Sequence, residues 1–174
     1  MKRLFLILSC VVLSLLNFSC VEDNDLTGSL DLTIDSNTYH MPVANFIFAN
    51  DVTNVVGTNV SQTVTVNVKG NTVRQYVIGY GRDFAELSAN HPFGDEFNQE
   101  ANLEFVSTID AREEFVAVCG VLTMSEYSSD SIAATFSGKM LTKSMAMSLI
   151  NGNATPEAVQ NQLRNFSGQF VAVP

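Results

Sequence analysis

Gln62-Thr63-Val64-Thr65-Val66-Asn67-Val68-Lys69 decides the reading of the fold. Val64, Val66 and Val68 alternate with Thr63, Thr65 and Asn67. A period of two sends successive side chains to opposite faces, so this stretch is a half-buried strand. Gly70-Asn71 follows directly, and a glycine at the first central position suits a type II′ turn, whose twist matches paired strands. The expectation is a hairpin returning along Thr72 to Tyr80. Val77, Ile78 and Tyr80 make the end of that return strand apolar on both faces.

The same period extends outward in both directions. Upstream, Leu30, Leu32 and Ile34 alternate with Asp31, Thr33 and Asp35, and Asp35-Ser36-Asn37-Thr38 supplies turn chemistry. A second strand is expected from Tyr39 to Phe48, with Pro42 marking an edge or an irregularity. Residues 50–61 are rich in Asn, Thr and Gly and read as a loop, with at most a weak strand at Val52 to Val56. Downstream, strands are expected at Leu103 to Ile109, Glu113 to Tyr127 (divided near Gly120), Ser131 to Thr142 and Phe166 to Val173. A short helix fits Asp83 to Ala89. Thr155-Pro156-Glu157 is a helix start, with a capping Thr, a first-turn Pro and an acid near the positive end of the dipole. That helix is expected to run to Arg164. Met145, Met147 and Leu149 alternate, but their surroundings permit helix as well. Phe136-Ser137-Gly138 is echoed by Phe166-Ser167-Gly168, which similar strand geometry explains better than duplication. Seven to nine short strands with one or two short helices make an all-β, mainly antiparallel domain over residues 29–174. It is either a β-sandwich or a barrel-like meander, and periodicity does not separate the two.

The N-terminus reads as an address. Lys2 and Arg3 precede the apolar run Leu4 to Leu16, which has the length of a signal-peptide core and is too short to span a bilayer as a helix. Asn17-Phe18-Ser19-Cys20 resembles a bacterial lipobox at Ser19 and Cys20 and departs from it at Asn17 and Phe18. The expectation is a lipoprotein signal peptide over 1–19, lipidation at Cys20, and an acidic tether through residue 28 that includes Glu22, Asp23 and Asp25. Ordinary cleavage after Ser19 is the rival reading. Several acyl chains, at about 0.8 kcal/mol per buried methylene, hold a protein stably at a membrane.

Removing residues 1–19 takes away Lys2 and Arg3. Seven basic residues then face 18 acidic ones, a net charge of about −11. Such a surface repels phosphate backbones and anionic membranes, which argues against nucleic-acid binding. Of three cysteines, Cys10 leaves with the signal and Cys20 is the lipid acceptor. Cys119 is then alone within Phe115-Val116-Ala117-Val118-Cys119, so no intramolecular disulfide forms and Cys119 reads as a buried, inert thiol.

Three stretches together resemble a known pattern. They are residues 114–124, residues 132–140 and Phe166-Ser167-Gly168-Gln169-Phe170-Val171. With the lipoprotein start, they are similar to an uncharacterised, domain-of-unknown-function family of small Bacteroidota lipoproteins. The resemblance implies a β-rich fold and an outer-membrane location, with the surface leaflet left open. It brings no catalytic residues. The segment 143–165 departs from the short hairpin usual there.

The polar stretch 81–101 gathers the acids that could carry chemistry. Asp83, Glu86, Asp95 and Glu96, with Glu100, are candidate oxygen ligands for a hard cation, although their spacing is not that of an EF-hand. The same stretch, with His91, is where a hydrolase would place its carboxylates. His40 and His91 lie far apart and do not make a metal motif. G-x-S-x-G, H-E-x-x-H and P-loop patterns do not occur. Asp130-Ser131-Ile132 resembles the acceptor of Bacteroidota O-glycosylation, with Ser131 as the site. No cofactor and no metal is implied. The reading is a membrane-anchored cell-envelope lipoprotein acting as a non-catalytic binding or assembly module. The alternatives are the hydrolase and a small apolar-ligand carrier with a barrel cavity.

Overall fold

The computed structural model of the chain describes residues 27–90, 99–109 and 114–174. Ten strands form one sheet: β1 (Ser29–Ile34), β2 (Asn37–Met41), β3 (Val43–Ala49), β4 (Val52–Thr58), β5 (Gln62–Lys69), β6 (Gln75–Gly79), β7 (Ala101–Ser107), β8 (Phe115–Tyr127), β9 (Ile132–Thr142) and β10 (Arg164–Ala172). Their spatial order is β2-β1-β10-β9-β8-β6-β7-β5-β4-β3. Every pairing between named strands is antiparallel except the short parallel contact of Ile78 with Ala101.

The sheet curls until its ends nearly meet. Pro42 lies where the chain leaves β1 as a partner and takes up β4. Proline cannot donate to a ladder, which suits it to that break. Beyond it, the Ala44 amide donates to Gly28 O (2.9 Å) and the Phe46 amide to Val173 O (2.8 Å), joining β3 to the chain on either side of the β1–β10 pair. The architecture is therefore a nearly closed, mostly antiparallel barrel.

The inward positions follow the period of two. Leu30, Leu32, Ile34, Val64, Val66, Val68, Leu103, Phe105, Leu122, Met124, Phe136, Phe166 and Phe170 belong to one packed cluster that fills the barrel. The Phe-Ser-Gly echo is now explained. β9 and β10 pair so that Phe166 opposes Gly138, Ser167 opposes Ser137, and Gly168 opposes Phe136. A Cβ on Gly168 would sit 2.5 Å from the Phe136 ring, and one on Gly138 2.9 Å from the Phe166 ring. Each phenylalanine thus occupies the space left by the other tripeptide's glycine.

Three readings are corrected. Residues 50–61 are mostly strand: β4 is fully formed, and its inward positions are Thr53, Val55 and Gly57. Thr53 and Gly57 hide the alternation. Gly57 is small because a Cβ there would lie 2.9 Å from Leu30 Cβ, and the Thr53 hydroxyl donates to Gly70 O (2.7 Å). The β3–β4 turn is the two-residue Asn50-Asp51, both with positive φ (53° and 61°), as a type I′ hairpin requires. Second, Gly70-Asn71 does not turn β5 back on itself. Both edges of β5 are already taken, by β4 and β7, and the return strand shortens to β6, which pairs with β8. The Tyr76 hydroxyl donates to Thr72 O (2.8 Å) and accepts from the Thr72 amide (3.2 Å), fixing the intervening loop. Third, β8 is not divided at Gly120 but is continuous, with irregularities after Ala117 and Met124.

Among the described residues, three short helices, α1 (Phe84–Ala89), α2 (Lys143–Ile150) and α3 (Pro156–Val159), lie outside the barrel. They bury a second apolar cluster of Leu87, Val118, Cys119, Leu141, Ala146, Leu149 and Val159. The irregularity after Ala117 turns both Val118 and Cys119 toward this layer, which a regular strand would not do. The expected helix at Pro156 is real but stops at Val159. A 3₁₀ turn over Gln160–Gln162 follows, and β10 begins at Arg164. The Met-rich segment 143–150 resolves to helix.

Candidate functional site

The outer face of β4, β5 and β7 carries a row of amides. Asn54 opposes Asn67, and Asn67 opposes Asn102. Asn54 Nδ2 donates to Asn67 Oδ1, and Asn67 Nδ2 donates to Asn102 Oδ1 (2.9 Å). The three side chains thus form one directed hydrogen-bond chain across three strands. All three sit on the outward side because their strand neighbours at 55, 66, 68, 101 and 103 are buried inside.

Helix α2 stands beside this row and forms the wall of a cleft of about 510 Å³. It contributes Lys143, Ala146, Met147 and Ile150, a single stripe at helical spacing. Asn67, Asn102, Gln99, Glu104, Tyr80 and Val116 complete the main lining. The start of the helix is held to the sheet by charge. Lys143 Nζ lies 2.8 Å from Glu104 Oε1 and 3.5 Å from Glu114 Oε2, and the Lys143 amide donates to Glu114 O (2.9 Å). The Glu104 carboxylate first, and Glu114 after it, keep the Lys143 ammonium protonated beyond the usual lysine range. Asn67, Gln99 and Asn102 also border a second cleft of about 160 Å³ on the side of Val52 and Lys69, so these three amides are shared by two adjoining clefts, while Asn54 lines neither.

The lysine is paired with two carboxylates, and Asn67, Gln99 and Asn102 contribute amides, which neither accept nor release protons near neutral pH. The volume falls within the usual range for small-ligand sites.

No protein-family model, curated protein or solved structure matches the chain.

The residues singled out from sequence lie elsewhere. Asp83 is the N-cap of α1, its carboxylate accepting from the Glu86 amide (3.0 Å). Glu86 in turn accepts from the amide of Arg82, the residue before the cap (2.7 Å), which fixes how the chain enters the helix. Glu100 fills a gap in the sheet. Its Oε2 accepts from the Val77 amide (2.8 Å), and its Oε1 meets Arg74 Nη1 (2.9 Å), whose guanidinium lies 3.9 Å from the Tyr76 ring centre. The Val77 amide, with Arg74, holds the Glu100 carboxyl below its ordinary range. Among the described residues, Glu100 shares no hydrogen-bond partner with Asp83 or Glu86, and each of these acids has a local structural task. His91, Asp95 and Glu96 lie outside the described residues, as does Cys20. Among the described residues no three His, Cys, Asp or Glu side chains are placed to hold a metal ion.

His40 sits on β2, exposed, with Nδ1 2.6 Å from Asp31 Oδ1 on β1. Ser131 follows a tight turn: its amide donates to Ser128 Oγ (3.0 Å), and its hydroxyl donates to Glu126 Oε1 (2.5 Å). Cys119 is fully buried, and burial pushes its thiol up to about 11. The cleft amides escaped the sequence reading. The available signal was asparagine at outward positions of three strands, where it is disfavoured without a purpose.

Proposed function

We propose that this chain is an exported, lipid-anchored protein of the cell envelope whose barrel serves as a non-catalytic binding module, with the cleft beside α2 as its binding site. The anchor rests on the basic start, the apolar run of signal-peptide length and Cys20 within its lipobox-like context. The resemblance to small Bacteroidota lipoproteins points to the outer membrane. The observation that carries the binding role is the cleft itself: amides that do not titrate, a lysine already neutralised, and an apolar stripe of Ala146, Met147 and Ile150. The packed barrel interior favours this outer site over an apolar-ligand carrier.

Chemical-shift mapping with a panel of small polar fragments tests the site. Fragments that bind are expected to perturb Asn67, Gln99, Asn102 and the 143–150 helix. Binding confined to another face, or hydrolysis of a fragment ester or glycoside by the protein, contradicts the reading.

A further inference from the structure

We propose that the groove lined by Asn67, Gln99 and Asn102 accepts a neutral, unbranched oligosaccharide, with its sugar rings laid across β7 and β5. This rests on the cleft being the binding site and names the ligand class.

The groove's hydrogen-bonding groups carry the argument. The Asn54–Asn67–Asn102 chain uses one amide hydrogen of Asn67 and the oxygen of Asn102, and leaves the Asn102 NH₂ as a donor at its end. Linked hydrogen bonds polarise one another, which strengthens that terminal donor. Gln99 adds an amide with both a donor and an acceptor, and Glu104 keeps one oxygen beyond the one engaged by Lys143. Planar groups offering donor and acceptor side by side match the vicinal hydroxyls of a sugar, each of which does both. Met147, with 47 % of its surface exposed, and Ile150 offer apolar surface to the C–H face of a ring.

Spacing and charge narrow the choice. Neighbouring strands lie about 4.8 Å apart, close to the length of one pyranose unit along a chain, so the amides recur at the repeat of the ligand. The two clefts sharing Asn67, Gln99 and Asn102 give room along that line. The charged residues that line the two clefts, Glu104 and Glu100 against Lys143 and Lys69, balance, and the chain around them is acidic, which suits a neutral ligand over an anionic one. An extended peptide would seek main-chain partners, but the backbones of β4, β5 and β7 beneath the groove are already paired with one another. Only side chains are available there, and those suit hydroxyls.

The test is saturation-transfer NMR on the full chain in detergent, with cellotetraose, maltotetraose and chitotetraose as probes. At least one is expected to bind. Its affinity should fall tenfold or more in Asn102→Ala, and equally in Asn102→Asp, which keeps the acceptor for Asn67 but removes the free donor. Thr63→Ala, outward on β5 and away from the cleft lining, should leave it unchanged, and circular dichroism should match for all three variants. No binding of any probe, or binding indifferent to both Asn102 variants, overturns the proposal. Tetralysine binding at the cleft in place of the sugars also overturns it, while leaving the cleft as the binding site. If neither ligand class touches the cleft, the site falls as well.

Discussion

Replacing Glu100 by Ala should expose how β6 is held in the barrel. β6 meets β7 at only one residue pair, Ile78 with Ala101, and the Glu100 carboxylate supplies what a longer ladder would have supplied. A charge-assisted hydrogen bond contributes about 1.5–3 kcal/mol. The Glu100 side chain is 38 % exposed, so solvent takes most of the Arg74 ion pair and part of the Val77 bond. A cost of about 1–2 kcal/mol remains, which for a domain of this size is a fall of about 2–8 °C in Tm. The pH dependence carries a definite sign. The Glu100 carboxyl titrates lower in the folded chain than its ordinary value of 4.5. Its contribution is therefore complete above 4.5 and fades as the pH drops from there through the depressed folded value. Thermal melts of the two proteins from neutral pH down to acid are the assay. The gap between them should be widest near neutrality and should narrow below 4.5. A gap under about 1 °C at neutral pH, or one that widens with acid, refutes the role assigned to this carboxylate.

Further outcomes follow from the packing. Phe136→Ala should cost about 3–5 kcal/mol in denaturant melts, because Phe136 is 3 % exposed and packs on Phe166 and Phe170. Gly168→Ala should also destabilise the protein, since its Cβ would meet Asp31 O at 2.1 Å as well as the Phe136 ring. Much of that cost should survive in the double variant, because the backbone contact remains. Cys119 should resist alkylation in the native protein and react once denaturant is added; rapid native labelling would contradict its burial and raised pKa. The Lys143 tie to Glu104 and Glu114 should persist well above neutral pH and loosen only beyond the usual lysine range, which amide exchange in residues 143–150 would report.

What could be read in advance follows from where the deciding partners lie. β1 and β5 were legible because each alternates apolar and polar residues along its own length. β4 was not, since its inward Thr53 and Gly57 are chosen by neighbours far away in sequence, Tyr127 and Leu30. The Gly70 turn was misread because local turn chemistry cannot reveal that β7, more than thirty residues on, already occupies the edge of β5. The two Phe-Ser-Gly tripeptides stood out in sequence, but their meaning appeared only with the register that sets each ring over the other's glycine. The acids of residues 83–100 drew attention as charges. Asp83 and Glu86 cap a helix and Glu100 completes a sheet, tasks that charge alone does not announce. The groove depends on three asparagines reaching one line across three strands, and pairing register creates that line.

Metabolic labelling with palmitate tests most directly the proposed anchoring of this domain at a membrane through Cys20. The wild-type protein should take up label and fractionate with envelope membranes, whereas Cys20→Ala should carry none. An unlabelled wild-type protein recovered in the soluble fraction, with its chain starting at residue 20, would contradict it.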